Sequence, residues 1–327
     1  MTLSTRLTRR LGIRHPVLLA PMGSASGGKL AAAVTAAGGL GLIGGAYGDA
    51  DWIAAQFQEA GNQRVGCGFI TWSLAKKPHL LAPVLACKPA ALMLSFGDPR
   101  PFGPAIKQAD VALICQVQTL AHARAALEVG ADVIVAQGAE AGGHGASRGL
   151  FPLLPAVVDL IASRGADAIP VAAGGMADGR GLAAALMLGA EGVLVGTRFY
   201  ASQESLAHET AKRIITEKGG DDTLRTTVID LARDITDWPA EFTARMIHNT
   251  LTDRWHGNEA ALMAARTTEA PVYEAKRVAG DFSVAGVLAG EGIDLMHDVP
   301  AAGAIVERLV QEAEQALSAR PRAVLAG

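Results

Sequence analysis

Short apolar runs alternate with glycine breaks and Ala-rich stretches through the first 200 residues of this chain. The runs are Val17–Ala20, Leu40–Ile43, Val65–Phe69, Ala91–Ser95, Val111–Cys115, Val133–Ala136, Pro170–Ala173 and Val193–Val195. Each run is continuously apolar, where a half-exposed strand would alternate. Parallel strands buried on both faces have this pattern. Eight strand–helix units predict an α/β fold, a closed (β/α)8 TIM barrel. Two segments, LEVGADVIVAQG (Leu127–Gly138) and LMLGAEGVLVGT (Leu186–Thr197), nearly repeat each other. In each, a helix stops at a glycine suited to a left-handed C-cap, and a buried strand follows. The competing architecture is an open doubly wound sheet, which carries G-x-G-x-x-G in its first strand-to-helix turn. Here that turn reads APMGSASGG (Ala20–Gly28) and does not match.

The pattern changes after Tyr200. Residues 207–284 are polar and charged, with no run that reads as a buried strand. They are expected to form a helical insertion over the barrel mouth, between barrel portions 1–206 and 285–327. Val299–Leu317 reads as an amphipathic helix returning to the barrel wall.

Composition narrows the function. Half of the 327 residues are hydrophobic and the net charge is −3. The basic residues are scattered, so a nucleic-acid partner is not expected. Three cysteines, Cys67, Cys87 and Cys115, without a C-x-x-C pair suit a reducing compartment. No run reaches membrane-span length and the N-terminus lacks signal-peptide features, so a cytoplasmic protein is expected.

In such a barrel, chemistry belongs to the loops after each strand. APMG (Ala20, Pro21, Met22, Gly23) follows the first strand, where Gly23 lets backbone approach a planar ligand. The seventh strand ends in Gly174–Gly175 and the eighth in Gly196–Thr197. Successive backbone N–H groups free of side chains cradle phosphate, and loops seven and eight are where barrels commonly do so. QGAEAGGHGASRG (Gln137–Gly149) carries one titratable group, His144, between Gly143 and Gly145. An imidazole at a barrel rim facing a phosphate site is suited to proton transfer near neutral pH.

These motifs carry a resemblance. APMG, LAAAVTAAGGLGLIGG (Leu30–Gly45), QGAEAGGH, PVAAGGMADGRGLAAALMLGAEGVLVGTRF and VLAGEGIDL (Val287–Leu295) are similar to the nitronate monooxygenase family, formerly 2-nitropropane dioxygenase. That family shares its FMN barrel with FMN-dependent enoyl-acyl-carrier-protein reductases and NAD(P)H:quinone reductases. The resemblance implies FMN as cofactor, its phosphate on Gly174–Gly175 and Gly196–Thr197 and its ring touching Ala20–Gly23. It further implies that Gln116 and Gln137 reach polar atoms of the flavin, that Gly68, Ser95, Gly142 and Gly143 line its site, and that His144 faces the reactive side. His144 would act as base toward neutral nitroalkanes or orient an anionic nitronate. The substrate reduces the flavin and O2 completes turnover, giving a carbonyl compound and nitrite. A homodimer is implied by the same analogy. The chain departs from the family at Gly68, where many relatives carry Asn, and at Gln116, where some carry Lys. It also has only three tyrosines, Tyr47, Tyr200 and Tyr273.

Other residues read as structural. Asp49 and Asp51 are expected to cap a helix, and Cys115 to be an inert barrel thiol. His248 and His256 lack the spacing and acidic partner of a metal motif, so no metal is expected. Trp238, Trp255 and Tyr273 are expected to pack between helices, with a place in the pocket wall as the alternative. The competing function is a reductase passing hydride from NAD(P)H to a quinone or enoyl thioester. A barrel that binds phosphate without redox chemistry is a third class. An inosine-monophosphate-dehydrogenase-like chemistry is excluded, because Gln137–Gly149 holds no cysteine nucleophile.

Overall fold

The computed structural model describes residues 3–325. Its strands are β1 (Val17–Leu19), β2 (Leu42–Ala46), β3 (Gly66–Ile70), β4 (Ala91–Ser95), β5 (Ala112–Val117), β6 (Val133–Gln137), β7 (Gly143–Gly145), β8 (Ile169–Ala173), β9 (Val193–Val195), β10 (Thr223–Thr226) and β11 (Thr243–Ile247). Eight of them form one parallel sheet in the order β1-β9-β8-β6-β5-β4-β3-β2. A parallel bridge between Leu18 and Leu40 joins its two ends and closes the barrel. All eight expected strands are present, their bounds shifted by three residues at most.

Apart from Ser95, Gln116 and Gln137 at their cavity ends, the strands are apolar because each faces two cores. Leu18, Leu42, Met93, Ile114, Val133, Val135, Val171 and Leu194 pack inside the barrel. Leu19, Ile43, Cys67, Leu92, Leu94, Cys115, Ile134 and Val195 pack outward against the helices. Burial pushes the thiols of Cys67 and Cys115 up to about 12, as suits inert cysteines. Leu7 and Leu11 of the first helix (Arg6–Leu11) join the inner cluster. Gly130 and Gly189 take positive φ at the helix ends, as their near-repeat predicts. Asp49 caps the helix Ala50–Glu59 by accepting from the Trp52 N–H. The last helix, Ala302–Leu325, packs against the helices Gly179–Met187 and Gly28–Ala36.

The expectation of a purely helical segment at 207–284 is corrected. Alongside helices, including Glu209–Glu217 and Glu259–Val278, it supplies β10 and β11. Their sequences, TLRT and TARMI, place an arginine and threonines among apolar residues and so lack an apolar run. The loop after β6 is likewise not all loop. Gly143–Gly145 forms the third strand of an antiparallel sheet in the order β10-β11-β7, with His144 opposite Ala244. Among the described residues, no helix is long and apolar enough to cross a membrane.

Candidate active site

The C-terminal ends of the barrel strands open into a cavity of about 610 Å³, a size typical of small-molecule and cofactor sites. The structure brings every site residue named from the sequence to its wall. Ala20, Pro21, Met22 and Gly23 lie after β1, Gly68 on β3, Ser95 on β4, Gln116 on β5 and Gln137 on β6. Gly142, Gly143 and His144 come from the β6–β7 region, Gly174 and Gly175 from the end of β8, and Gly196 and Thr197 from the end of β9.

The rim backbone is unusual. Ser24, Ala46 and Phe96 line the cavity with φ of 61°, 44° and 63°, the left-handed region that costs a non-glycine residue energy. Such strain clusters at functional sites. Gly174 and Gly175 have φ of 105° and 70°, and a Cβ on Gly174 would stand 3.1 Å from the Gly138 carbonyl oxygen. This stretch therefore stays bare backbone. The APMG turn is pinned by Ser26, whose hydroxyl donates to the Ala20 carbonyl and accepts from the Met22 N–H. Gly68 lets this turn close in, because a Cβ there would overlap the Pro21 ring. A third wall comes from the late VLAGEGIDL segment. Gly290 and Gly292 line the cavity, and the Gly290 N–H donates to Thr197 Oγ1 at 3.1 Å.

His144 is held from three sides. Its Nε2 lies 2.9 and 3.0 Å from the two oxygens of Asp230, a carboxylate only 3% exposed on the short helix Val228–Leu231. Its ring stacks on Trp238, centroids 3.5 Å apart and planes 5° from parallel. Its backbone oxygen accepts from Gln137 Nε2 at 3.1 Å. Gln137 Oε1 in turn accepts from Gln118 and Gln116, at 2.7 and 3.2 Å. The Gln137 amide thus serves as a strut under His144 as well as lining the cavity.

Two arginines fasten the histidine-bearing segment. Arg225 of β10 donates to the carbonyls of Ala139, Ala141, Gly145 and Thr243. Arg245 of β11 donates to Ala139 as well and pairs with Glu291 at 2.6 Å. Burial and the nearby Arg245 push Arg225 down to about 10.

Two assignments need correction. Trp238 is not confined to packing between helices, because it forms cavity wall against His144. Tyr273 packs in a helix cluster but also lines the cavity, as do Tyr47 and Tyr200, so all three tyrosines of the chain face it. Burial raises each of these phenols, Tyr200 to about 12. Trp255 does pack as expected, with Leu251 and Leu262. Asp230 is the residue that sequence reasoning missed. It lies 86 positions from His144, and no local motif announces the pair.

Comparison with known proteins bears on this geometry. The family model for nitronate monooxygenase matches residues 4–63 and 75–312. The nitronate monooxygenase of Neurospora crassa is 31% identical, with 92% of this chain and 90% of that protein covered. A (3aS,4S,5R,7aS)-5-hydroxy-7a-methyl-1-oxo-octahydro-1H-indene-4-carboxyl-CoA dehydrogenase of Mycobacterium tuberculosis is 34% identical over 70% of this chain. That match spans 65% of the dehydrogenase, just under two thirds of its length. Among solved structures, FabK from Thermotoga maritima superposes with a TM-score of 0.84 at 28% identity, covering 99% of this chain and 100% of that one.

Proposed function

Because the chain belongs to the nitronate monooxygenase family, we propose that it is an FMN-dependent nitronate monooxygenase. It oxidises alkyl nitronates, such as propionate 3-nitronate, with O2 to carbonyl compounds and nitrite. The observation that carries this reading is His144, set into the cavity wall with Nε2 on a buried carboxylate and one ring face on an indole.

The residues fit FMN. The bare backbone of Gly174–Gly175 and Gly196–Thr197 suits its phosphate, and the close-set Ala20–Gly23 turn suits the face of a flat ring. Bound FMN would supply the two-electron acceptor and the place where O2 is reduced. The chain's own residues handle position and protons. Asp230 accepts from Nε2–H and so leaves Nδ1 as the accepting nitrogen of His144. That atom takes the proton from the carbon of a neutral nitroalkane. Trp238 holds the ring plane during the transfer and shields one of its faces. The three free cysteines suit a cytoplasmic setting.

A second reading is supported by the dehydrogenase relative, whose name denotes an acyl-CoA substrate. On that reading the enzyme takes hydride from NAD(P)H and passes it to an enoyl thioester or a quinone. Anaerobic mixing of the FMN-loaded protein with propionate 3-nitronate, and separately with NADH and NADPH, tests the two. Rapid bleaching of the flavin by the nitronate and slow bleaching by the nucleotides is the expected result. Bleaching by a nucleotide alone would sink the monooxygenase reading.

A further inference from the structure

A chain of amides runs from the end of β5 to the backbone of His144, and it has one direction. The His144 carbonyl can only accept, so Gln137 turns Nε2 toward it, at 3.1 Å. Gln137 Oε1 then points the other way, where only donors can meet it. Gln118 and Gln116 supply them through Nε2, at 2.7 and 3.2 Å. Gln116 lines the cavity. Gln118, the residue that follows β5, is 1% exposed and makes the shorter bond.

That direction leaves an orphan at Gln118. With Nε2 on Gln137, its own Oε1 is buried and has no hydrogen-bond partner among the described residues. A buried acceptor without a donor is uncommon and calls for a reason. A methionine would fill similar space without the orphan. The amide offers what methionine cannot, a donor aimed at Gln137.

We propose that Gln118 is a positioning residue for His144, setting the polarity of the Gln137 amide and so holding the backbone from which the imidazole reaches Asp230 and Trp238. The inference rests on the reading of His144 as base and names a residue that aims it from below. An acceptor in place of the Gln118 donor would reverse Gln137 and set its oxygen against the His144 carbonyl. The imidazole would then be drawn off Asp230 and Trp238.

The test compares wild type with Gln118→Glu and Gln118→Met, all full length and FMN-loaded, across the pH range of histidine titration. The substrates are neutral nitroethane and preformed ethyl nitronate. In Gln118→Glu the new carboxyl donates to Gln137 while protonated and can only accept once ionised. Wild-type turnover of nitroethane should rise with pH as His144 gives up its proton. Gln118→Glu should follow it at low pH and fall roughly tenfold to hundredfold below it at high pH, the scale of loss that a small misplacement brings. Oxidation of ethyl nitronate should stay within about threefold. Gln118→Met should lose about fivefold on nitroethane at every pH, the worth of one neutral hydrogen bond. Other titratable and charged groups nearby are common to all three proteins. His122 Nδ1 accepts from the Gln118 backbone N–H at 3.5 Å, Glu241 lies 3.4 Å from His122 Nε2, and Arg225 stands across Gly145 from Gln137.

A Gln118→Glu profile with the wild-type shape, or equal losses on the two substrates, would overturn the assignment. Should Gln118→Glu not fold, Gln118→Met decides, and no loss or equal losses refute the role. Imidazole nitrogen NMR, with the His144 signals identified by their absence in His144→Gln, reads the geometry without turnover. Those signals should gain a second titration step in Gln118→Glu. If wild type turns over neither substrate, the reading of the function fails by itself. The NMR arm then decides, and His144 signals that titrate as in wild type refute the positioning role.

Discussion

The imidazole of His144 lies flat on the indole of Trp238, and that indole is itself locked in place. Trp238 meets Phe96 and Trp72 edge-on at 5.3 and 5.4 Å and donates to Tyr47. The stack fixes the plane of the imidazole. Asp230 fixes its rotation within that plane, since both carboxylate oxygens reach Nε2. Neither constraint alone would aim Nδ1.

Asp230→Asn separates these roles. An amide offers Nε2 either an oxygen or an N–H, so it no longer dictates which imidazole nitrogen carries the proton. Turnover of neutral nitroethane should fall roughly tenfold to hundredfold, up to the lower end of what a positioned acid–base group contributes, because His144 itself remains. Oxidation of preformed ethyl nitronate, which needs no proton removed, should fall by less than about threefold. Oxygen consumption on the two substrates reads this ratio. Equal losses on both would show that Asp230 serves only the packing of His144.

Gly68→Asn puts a side chain where β3 carries none, and it is expected to harm this protein. The new Cβ meets the Pro21 ring, so the APMG turn has to shift. Overpacking of this kind costs about 1–3 kcal/mol. FMN retention on gel filtration should drop and the Tm should fall. If the variant holds FMN as tightly as wild type, the Ala20–Gly23 turn does not seat the ring.

Asp132 ties the base of the barrel together. Its side chain, 8% exposed, takes hydrogen bonds from the Leu113 N–H, Arg10 and Lys107 at 2.8, 2.6 and 3.1 Å. Burial alone would raise its carboxyl, but the Leu113 N–H, Arg10 and Lys107 together hold it below the usual range. A depressed folded-state value stabilises the protein above the unfolded-state value and loses that effect as pH falls through the folded one. Asp132→Asn should therefore lower the Tm at pH 7, by about 1–3 kcal/mol in stability. The gap to wild type should close as pH drops below about 4. A gap that stays constant down to pH 3 would mean that charge on Asp132 contributes nothing.

The barrel was readable because two-sided burial keeps its strands apolar up to their cavity ends. Val133–Gln137 and Ile169–Ala173 are fully buried along their length. The glycine-lined half of the cavity was readable for a related reason, since Gly174 and Gly175 have positive φ that side chains tolerate poorly. The other half was not. Thr223–Thr226 and Thr243–Ile247 are short and mix buried with partly buried positions, and they carry Arg225 and Arg245 because those side chains reach across to loop carbonyls. Polar residues recruited for long-range hydrogen bonds break the alternation that marks a strand. Asp230 and Trp238 escaped for the same reason, because their partner His144 is distant in sequence and only the tertiary fold joins them.

Pairing of Gly143–Gly145 with Thr243–Ile247 makes His144 a member of a sheet whose other strands come from residues 223–247. The side chain proposed as the base is thus mounted on the joint between the barrel and the 207–284 segment. A chimera that grafts the 207–284 segment of another barrel onto this one would change the backbone ladder that carries His144, along with the substrate wall. Exchange of specificity between relatives would then call for transplanting the Gln137–Gly149 segment together with its opposing strand, as one cassette.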